Sequence, residues 1–149
     1  MSAALAVGTR LPEVTIEVTP TFVVSTALAT RDFQDVHHDR DRAVAGGAKD
    51  IFLNILTSTG LVQRYVSEWA GPGLMIGSVR IRLGVPCCAY QTLTFSGEVT
   101  EEDDAEVTVA VSGRVTAGEH VSGTVLLRRT ELRGRTGLGP RADGDGDEG

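Results

Sequence analysis

The feature that most constrains the fold is one long apolar stretch, DIFLNILTSTGLVQRYVSEWAGPG, at residues 50–73. Asp50 is placed as a helix N-cap, and Gly71 followed by Pro72 is a typical stop signal. The stretch therefore predicts one helix of about 20 residues, the only long helix of the chain. Its first half is apolar almost all round, so we expect that half to be buried on most sides. Apolar residues recur along it at helical spacing: Ile51, Ile55, Leu61, Val62, Tyr65, Val66 and Trp69.

Most of the remaining chain alternates apolar and polar residues, which is typical of half-buried strands. One such run, LPEVTIEV, precedes the helix and ends at Pro20. The following FVVSTALATRD fits either a strand or a short helix. After the helix come four more alternating runs, joined by short connectors such as EEDDA and TAGEH. One long helix among five or six mainly antiparallel strands predicts an α+β fold in which the sheet wraps around the helix.

Composition narrows the class of protein. The chain has 149 residues, 41% of them hydrophobic, and a net charge of −6, which argues against a nucleic-acid surface. No apolar run is long enough to cross a bilayer, and the N-terminus lacks signal-peptide features, so we expect a cytoplasmic location and no membrane partner. We predict one domain at residues 1–132 and, from the Gly- and Asp-rich composition, a disordered tail at residues 133–149. Cys87 and Cys88 are neighbours, so they predict neither a disulfide framework nor a zinc site.

The loop RDFQDVHHDRD, at residues 31–41, concentrates acidic and imidazole side chains. Three interpretations stay open on residue types alone: a solvated turn, a metal site formed by His37, His38 and Asp39, or a catalytic pair formed by Asp32 and His37. A carboxylate and an imidazole that meet in a turn can hold a water molecule and move its proton. That chemistry would add water across an activated double bond.

The loop resembles the signature of the MaoC-like (R-specific) enoyl-CoA hydratases, D-x-N-P-[IVL]-H-x-D. Asp32, His37 and Asp39 match it, whereas Gln34-Asp35 replaces the Asn-Pro. The downstream VRIRLGVPCCAYQTLTFSGEV resembles a second motif of that family, with Tyr90-Gln91 where Gly-Asp is customary. The resemblance covers roughly residues 10–130, with the long helix where the family has its central helix. The second motif matches at Arg80, Pro86, Leu93, Gly97, Glu98 and Val99.

The resemblance implies a hot-dog fold, an antiparallel sheet wrapped around one central helix, that works as dimers or paired units. It implies reversible hydration of a trans-2-enoyl-CoA, with Asp32 and His37 as the catalytic dyad. Coenzyme A would be part of the substrate, and no cofactor or metal is expected. The family's thioester-binding backbone N–H falls at Asn54 or Ile55, so we predict these as substrate-binding residues. The resemblance also implies a structural role for Asp39; we expect His38 to face solvent.

The helix sequence is also similar to that of the small MaoC-like subunits of actinobacterial steroid side-chain degradation. This likeness implies a steroid-type acyl group and a larger partner subunit with MaoC-like and DUF35 domains. Two alternatives stay open. The chain could be a non-catalytic scaffold subunit, since part of the motif is lost. It could also be a hot-dog thioesterase, for which Asp50 or Glu68 would supply the carboxylate in the helix.

Overall fold

A computed structural model describes residues 5–130, so the predicted tail at 133–149 and the end of the predicted domain lie outside the described residues. The elements are β1 (Arg10–Val18), α1 (Pro20–Ala29), a 3-10 turn (Asp35–His37), α2 (Arg40–Ala45), α3 (Ile55–Ala70), β2 (Leu74–Leu83), β3 (Gln91–Glu102), β4 (Glu106–Val115) and β5 (Gly118–Arg129). The five strands form one antiparallel sheet in the order β1-β3-β4-β5-β2, which confirms the α+β hot-dog prediction. Within these residues no helix is long and apolar enough to cross a membrane.

The hydrophobic core lies between α3 and the sheet. In β4, alternate residues face inward and are almost fully buried, as period-two patterning requires. Tyr65 of α3 stacks on Phe95 of β3, with ring centroids 5.5 Å apart. The Tyr65 hydroxyl donates to the carbonyl of Pro12 at 2.9 Å, which satisfies its polar end inside the core. Tyr65 therefore belongs to the core, as its place in the helical spacing of apolar residues indicated.

Two parts of the helix prediction are wrong. The helix begins at Ile55 and not after Asp50, because the side chain of Asn54 caps it by accepting the N–H of Thr57 at 2.8 Å. Residues 51–53 instead run beside the segment that carries Cys87 and Cys88: the N–H of Leu53 donates to the Cys87 carbonyl at 3.0 Å. The first helical turn is also not buried all round, since Ile55 and Leu56 are each 54% exposed.

The ambiguous FVVSTALATRD forms most of α1, whose N-terminus is fixed by Pro20 at the first helical position. Its C-terminus is a Schellman motif: the N–H of Asp32 donates to the Ala27 carbonyl at 2.9 Å and that of Arg31 to Leu28 at 3.0 Å. Arg31 accordingly adopts a left-handed φ of 56°. This turn fixes the backbone of Asp32 at the end of a helix.

A glycine of the sheet, compared with a glycine of the central helix, tests how closely the strands pack. A Cβ added at Gly123 of β5 would lie 1.9 Å from the carbonyl oxygen of Arg80 in β2, whereas one added at Gly60 of α3 would meet nothing within 4 Å. We expect Gly123→Ala to lower the free energy of unfolding by about 1–3 kcal/mol, because the backbone must shift. Gly60→Ala, the control, should raise it by up to about 1 kcal/mol. Urea unfolding of the full chain measures both, and equal effects would contradict this account.

Candidate active site

The structure brings Asp32 and His37 together. The Nε2 atom of His37 lies 3.4 Å from Oδ2 of Asp32, and His37 is buried while Asp32 is partly exposed. Asp32 follows the C-terminal turn of α1, and His37 ends the 3-10 turn five residues later. At this separation the two side chains can share one water molecule or one proton. Asp32 is the member of the pair that solvent reaches.

The backbone fixes the tautomer of His37. Its Nδ1 atom lies 2.7 Å from the carbonyl oxygen of Phe52, and a carbonyl can only accept, so Nδ1 carries the hydrogen. The Phe52 ring packs edge-on against the imidazole, with centroids 5.1 Å apart. In the neutral ring, Nε2 therefore presents its lone pair toward Asp32. This is the orientation that a general base needs.

Asn54 links the dyad to the central helix. Its Nδ2 atom donates to Oδ2 of Asp32 at 3.0 Å and to the hydroxyl of Thr30 at 2.8 Å, while its Oδ1 caps Thr57. Asn54 is buried, and both ends of its amide are engaged. Its side chain therefore anchors the carboxylate of Asp32. The predicted role of Asn54 in substrate binding stays a prediction that only its backbone could fulfil without breaking these bonds.

The surroundings of Asp32 hold it ionised. The hydrogen bond from Asn54 lowers the pKa of the Asp32 carboxyl group below its usual value; partial burial opposes this shift. The backbone N–H of Gln34, at 3.2 Å, and the neighbouring His37 and His38 lower it further. Asp32 is consequently an acceptor at neutral pH, well suited to orient a water molecule.

The start of α3 offers hydrogen-bond donors. In the part of the chain that the structure describes, the backbone N–H groups of Asn54, Ile55 and Leu56 donate to no protein acceptor. N–H groups in the first turn of a helix carry partial positive charge and favour a developing negative charge. Ile55, predicted from the family pattern, is the first helical residue, so its N–H is one of these donors. Its binding role stays a prediction.

Other residues of the charged loop have structural partners. His38 is half-buried and its Nε2–H donates to the backbone carbonyl of Asp32 at 2.7 Å, so the expectation that it faces solvent is wrong. Asp39 caps α2 by accepting the N–H of Arg42 at 3.1 Å, the kind of role expected for it. Among residues 5–130, no group of three or more His, Cys, Asp or Glu side chains could hold a metal ion.

The carboxylates considered for a thioesterase lie away from the first turn of α3. Asp50 precedes the helix by five positions and accepts from Arg40 at 3.3 Å and from the N–H of Ile51 at 2.8 Å. Glu68 is in the last turn and pairs with Arg64 at 2.8 Å. Within the described residues, α3 therefore carries no acidic side chain in its first turn.

Comparison with known proteins gives a close relative. The beta subunit of 3-oxo-4,17-pregnadiene-20-carboxyl-CoA hydratase from Mycobacterium tuberculosis is 66% identical over 121 residues, which are 81% of this chain and 94% of that protein. The crystal structure of the ChsH1–ChsH2 complex from the same organism matches with a TM-score of 0.82 and 63% identity, over 85% of this chain and 100% of the matched one. No protein-family model matches the sequence.

The chain belongs to the MaoC-like enoyl-CoA hydratase family. An (R)-hydratase of A. caviae involved in PHA biosynthesis shares the fold, with a TM-score of 0.77, 18% identity, and coverage of 85% of this chain and 98% of that one. For this MaoC-like hydratase, sequence reasoning placed the dyad but missed two of its supports. Thr30 gave no signal, and the Phe52 carbonyl is a backbone group that no side-chain pattern marks.

Replacing Asn54 separates the two functions of its amide. Asn54→Ser keeps a good N-cap for Thr57 but removes the donor to Asp32, whereas Asn54→Ala removes both. We expect the pKa of Asp32 to rise toward its ordinary value in both variants, measured by carbon-13 carboxyl titration. A lowered pKa of Asp32 stabilises the folded state at pH values above the pKa that Asp32 has in the unfolded chain. In the wild type this stabilisation is lost as pH falls through the pKa of the folded state, and it should be smaller in both variants.

Only Asn54→Ala should also destabilise α3, by about 1 kcal/mol relative to Asn54→Ser. An unchanged pKa of Asp32 in both variants would show that the amide does not control the carboxylate.

Proposed function

We propose that this chain adds water across the double bond of a trans-2-enoyl-CoA to give a 3-hydroxyacyl-CoA. The observation that carries the proposal is the 3.4 Å approach of His37 Nε2 to an ionised Asp32. The substrate that we infer is a steroid side-chain enoyl-CoA, and the chain would act as the small subunit of a hetero-oligomer. Both inferences draw on the hydratase beta subunit to which the chain is 66% identical.

The dyad is suited to hold the attacking water. Oδ2 of Asp32 and Nε2 of His37 both accept hydrogen bonds, so one water molecule can donate one hydrogen to each. Its oxygen lone pair is then directed away from both groups and toward the substrate. This fixed orientation converts a bimolecular attack into an effectively intramolecular one.

We assign the proton transfer to His37. The lowered pKa of Asp32 makes that carboxylate a weak base near neutral pH, whereas the imidazole has a free Nε2 lone pair. As the water oxygen bonds to C3, its proton passes to Nε2 and the π electrons of the C2–C3 double bond move onto the thioester oxygen. The imidazolium then returns the proton to C2, which completes the addition. Asp32 stabilises the transient positive charge.

The thioester oxygen carries negative charge in the intermediate and requires donors. The unpaired N–H groups at the start of α3, including that of Ile55, supply suitable dipoles. Coenzyme A enters only as part of the substrate, and the scheme requires no cofactor or metal. The absence of an acidic side chain from the first turn of α3 favours hydration over thioester hydrolysis.

Exposed apolar side chains flank the dyad. Phe33, 68% exposed, follows Asp32 directly, while Ile55 and Leu56 follow Asn54. Exposed apolar side chains next to Asp32 and Asn54 suit a bulky apolar acyl group, enclosed by a second chain. A larger subunit with MaoC-like and DUF35 domains is the partner we propose, in line with the two-component ChsH1–ChsH2 complex that the fold matches.

The first test is the loss of enoyl-thioester absorbance on short-chain and steroid enoyl-CoA substrates. Asp32→Asn and His37→Ala should each lower kcat about 100-fold or more, because each removes a group that holds the water. Asp35→Asn, an exposed acid of the same loop, is the matched control and should keep wild-type activity. Full activity in both dyad variants would contradict the mechanism.

The partner and the substrate are tested in the same assay with and without the larger subunit. We expect co-purification, and steroid substrate turnover at least about 10-fold faster with the partner than without it, because the partner encloses the acyl group. Release of free thiol without hydration would favour a thioesterase. Binding without any turnover would favour a scaffold subunit.

A further inference from the structure

A second hydrogen-bonded pair, formed by a histidine and a serine, lies inside the core, apart from the dyad. His120, at the start of β5, is 2% exposed, and Ser58, in the first turns of α3, is 0% exposed. The Nε2 atom of His120 and the hydroxyl oxygen of Ser58 are 2.8 Å apart. Burying an imidazole and a hydroxyl is unfavourable unless both are hydrogen-bonded, so each of these two groups depends on the other as its partner.

The direction of the hydrogen bond follows from the other ring nitrogen. Nδ1 of His120 lies 2.8 Å from the carbonyl oxygen of Val85, so Nδ1 carries the hydrogen. Burial lowers the pKa of His120 and keeps the ring neutral near pH 7, although the bond to Val85 partly opposes the shift. Nε2 therefore accepts, and the Ser58 hydroxyl donates its single hydrogen to it.

That donation determines what Ser58 does to the helix start. The Ser58 hydroxyl also lies 3.2 Å from the carbonyl oxygen of Asn54, four residues earlier. A serine that donates to this carbonyl competes with the helical bond from its own N–H and bends the helix. The Asn54 carbonyl also accepts the Ser58 N–H at 3.1 Å. When the Ser58 hydroxyl gives its hydrogen to His120, it does not compete for this helical bond.

We propose that the Ser58–His120 hydrogen bond positions the first turn of α3, so that the Asn54 amide meets Asp32 and the helix-start N–H groups keep their direction. His120 and Ser58 are positioning residues, since neither touches the dyad. The proposal rests on the proposed hydratase function for its effect on turnover. Its effect on the pKa of Asp32 is independent of that function.

Two substitutions of His120 separate the contacts of its two nitrogens. In His120→Gln, the side-chain oxygen reaches the position of Nε2 and can accept from Ser58. In His120→Asn, the amide nitrogen replaces Nδ1 and can donate to Val85, but nothing accepts from Ser58. Val107→Ala, in the core of β4 and away from this pair, is a control for lost stability alone.

We expect Ser58→Ala and His120→Asn each to lower kcat about 10-fold with KM within about 2-fold, at a temperature where all variants are folded. The variant that combines Ser58→Ala and His120→Asn should have a kcat no lower than that of either single variant, because both substitutions remove the same hydrogen bond. His120→Gln should stay within about 3-fold of the wild type, and Val107→Ala should leave kcat unchanged. In Ser58→Ala and His120→Asn the pKa of Asp32 should rise.

Wild-type kcat and an unchanged pKa of Asp32 in Ser58→Ala and His120→Asn would overturn the proposal, as would an equal fall of kcat in Val107→Ala. If the wild type hydrates no substrate, the proposed function fails, and the pKa of Asp32 alone decides about the positioning pair: a rise supports it and no change refutes it.

Discussion

The site depends on one buried side-chain amide. Asn54 joins two segments that are more than 20 residues apart in sequence. One is the end of α1, which it meets through Thr30 and the carboxylate of Asp32, and the other is the first turn of α3, which it caps at Thr57. A buried amide with both ends engaged has little freedom to move, because breaking any one bond leaves a polar group unpaired. The helix start and the dyad are therefore positioned as a unit.

The fold was predictable from the sequence because strands and a long amphipathic helix each have a characteristic spacing of apolar residues. The helix boundary was not. Asp50 and Asn54 are both good capping residues, and the apolar run between them fits a helix or an extended segment equally well. Pairing of residues 51–53 with the segment around Cys87 decided the outcome, and that contact spans more than 30 residues of sequence. Local propensity contains no information about such a partner.

The side chains of the candidate site were more accessible to sequence reasoning than their supports. Asp32 and His37 could be found because their spacing resembles a known signature, and the structure brings them together. The Phe52 carbonyl, which sets the tautomer of His37, belongs to the backbone and has no sequence signal. The pair of His120 and Ser58 has no sequence signal either, because the two residues are 62 positions apart and a serine within a helix is common.

The exposure of Ile55 and Leu56 separates two properties of the first turn of α3. Their backbone is fixed by the cap at Asn54, while their side chains point outward and touch little of the chain's own core. Side chains at these two positions can therefore change in size without moving the N–H groups that we propose as donors to the thioester oxygen. A family built on this turn could diversify its choice of acyl group by substitution at two surface positions and leave its chemistry intact.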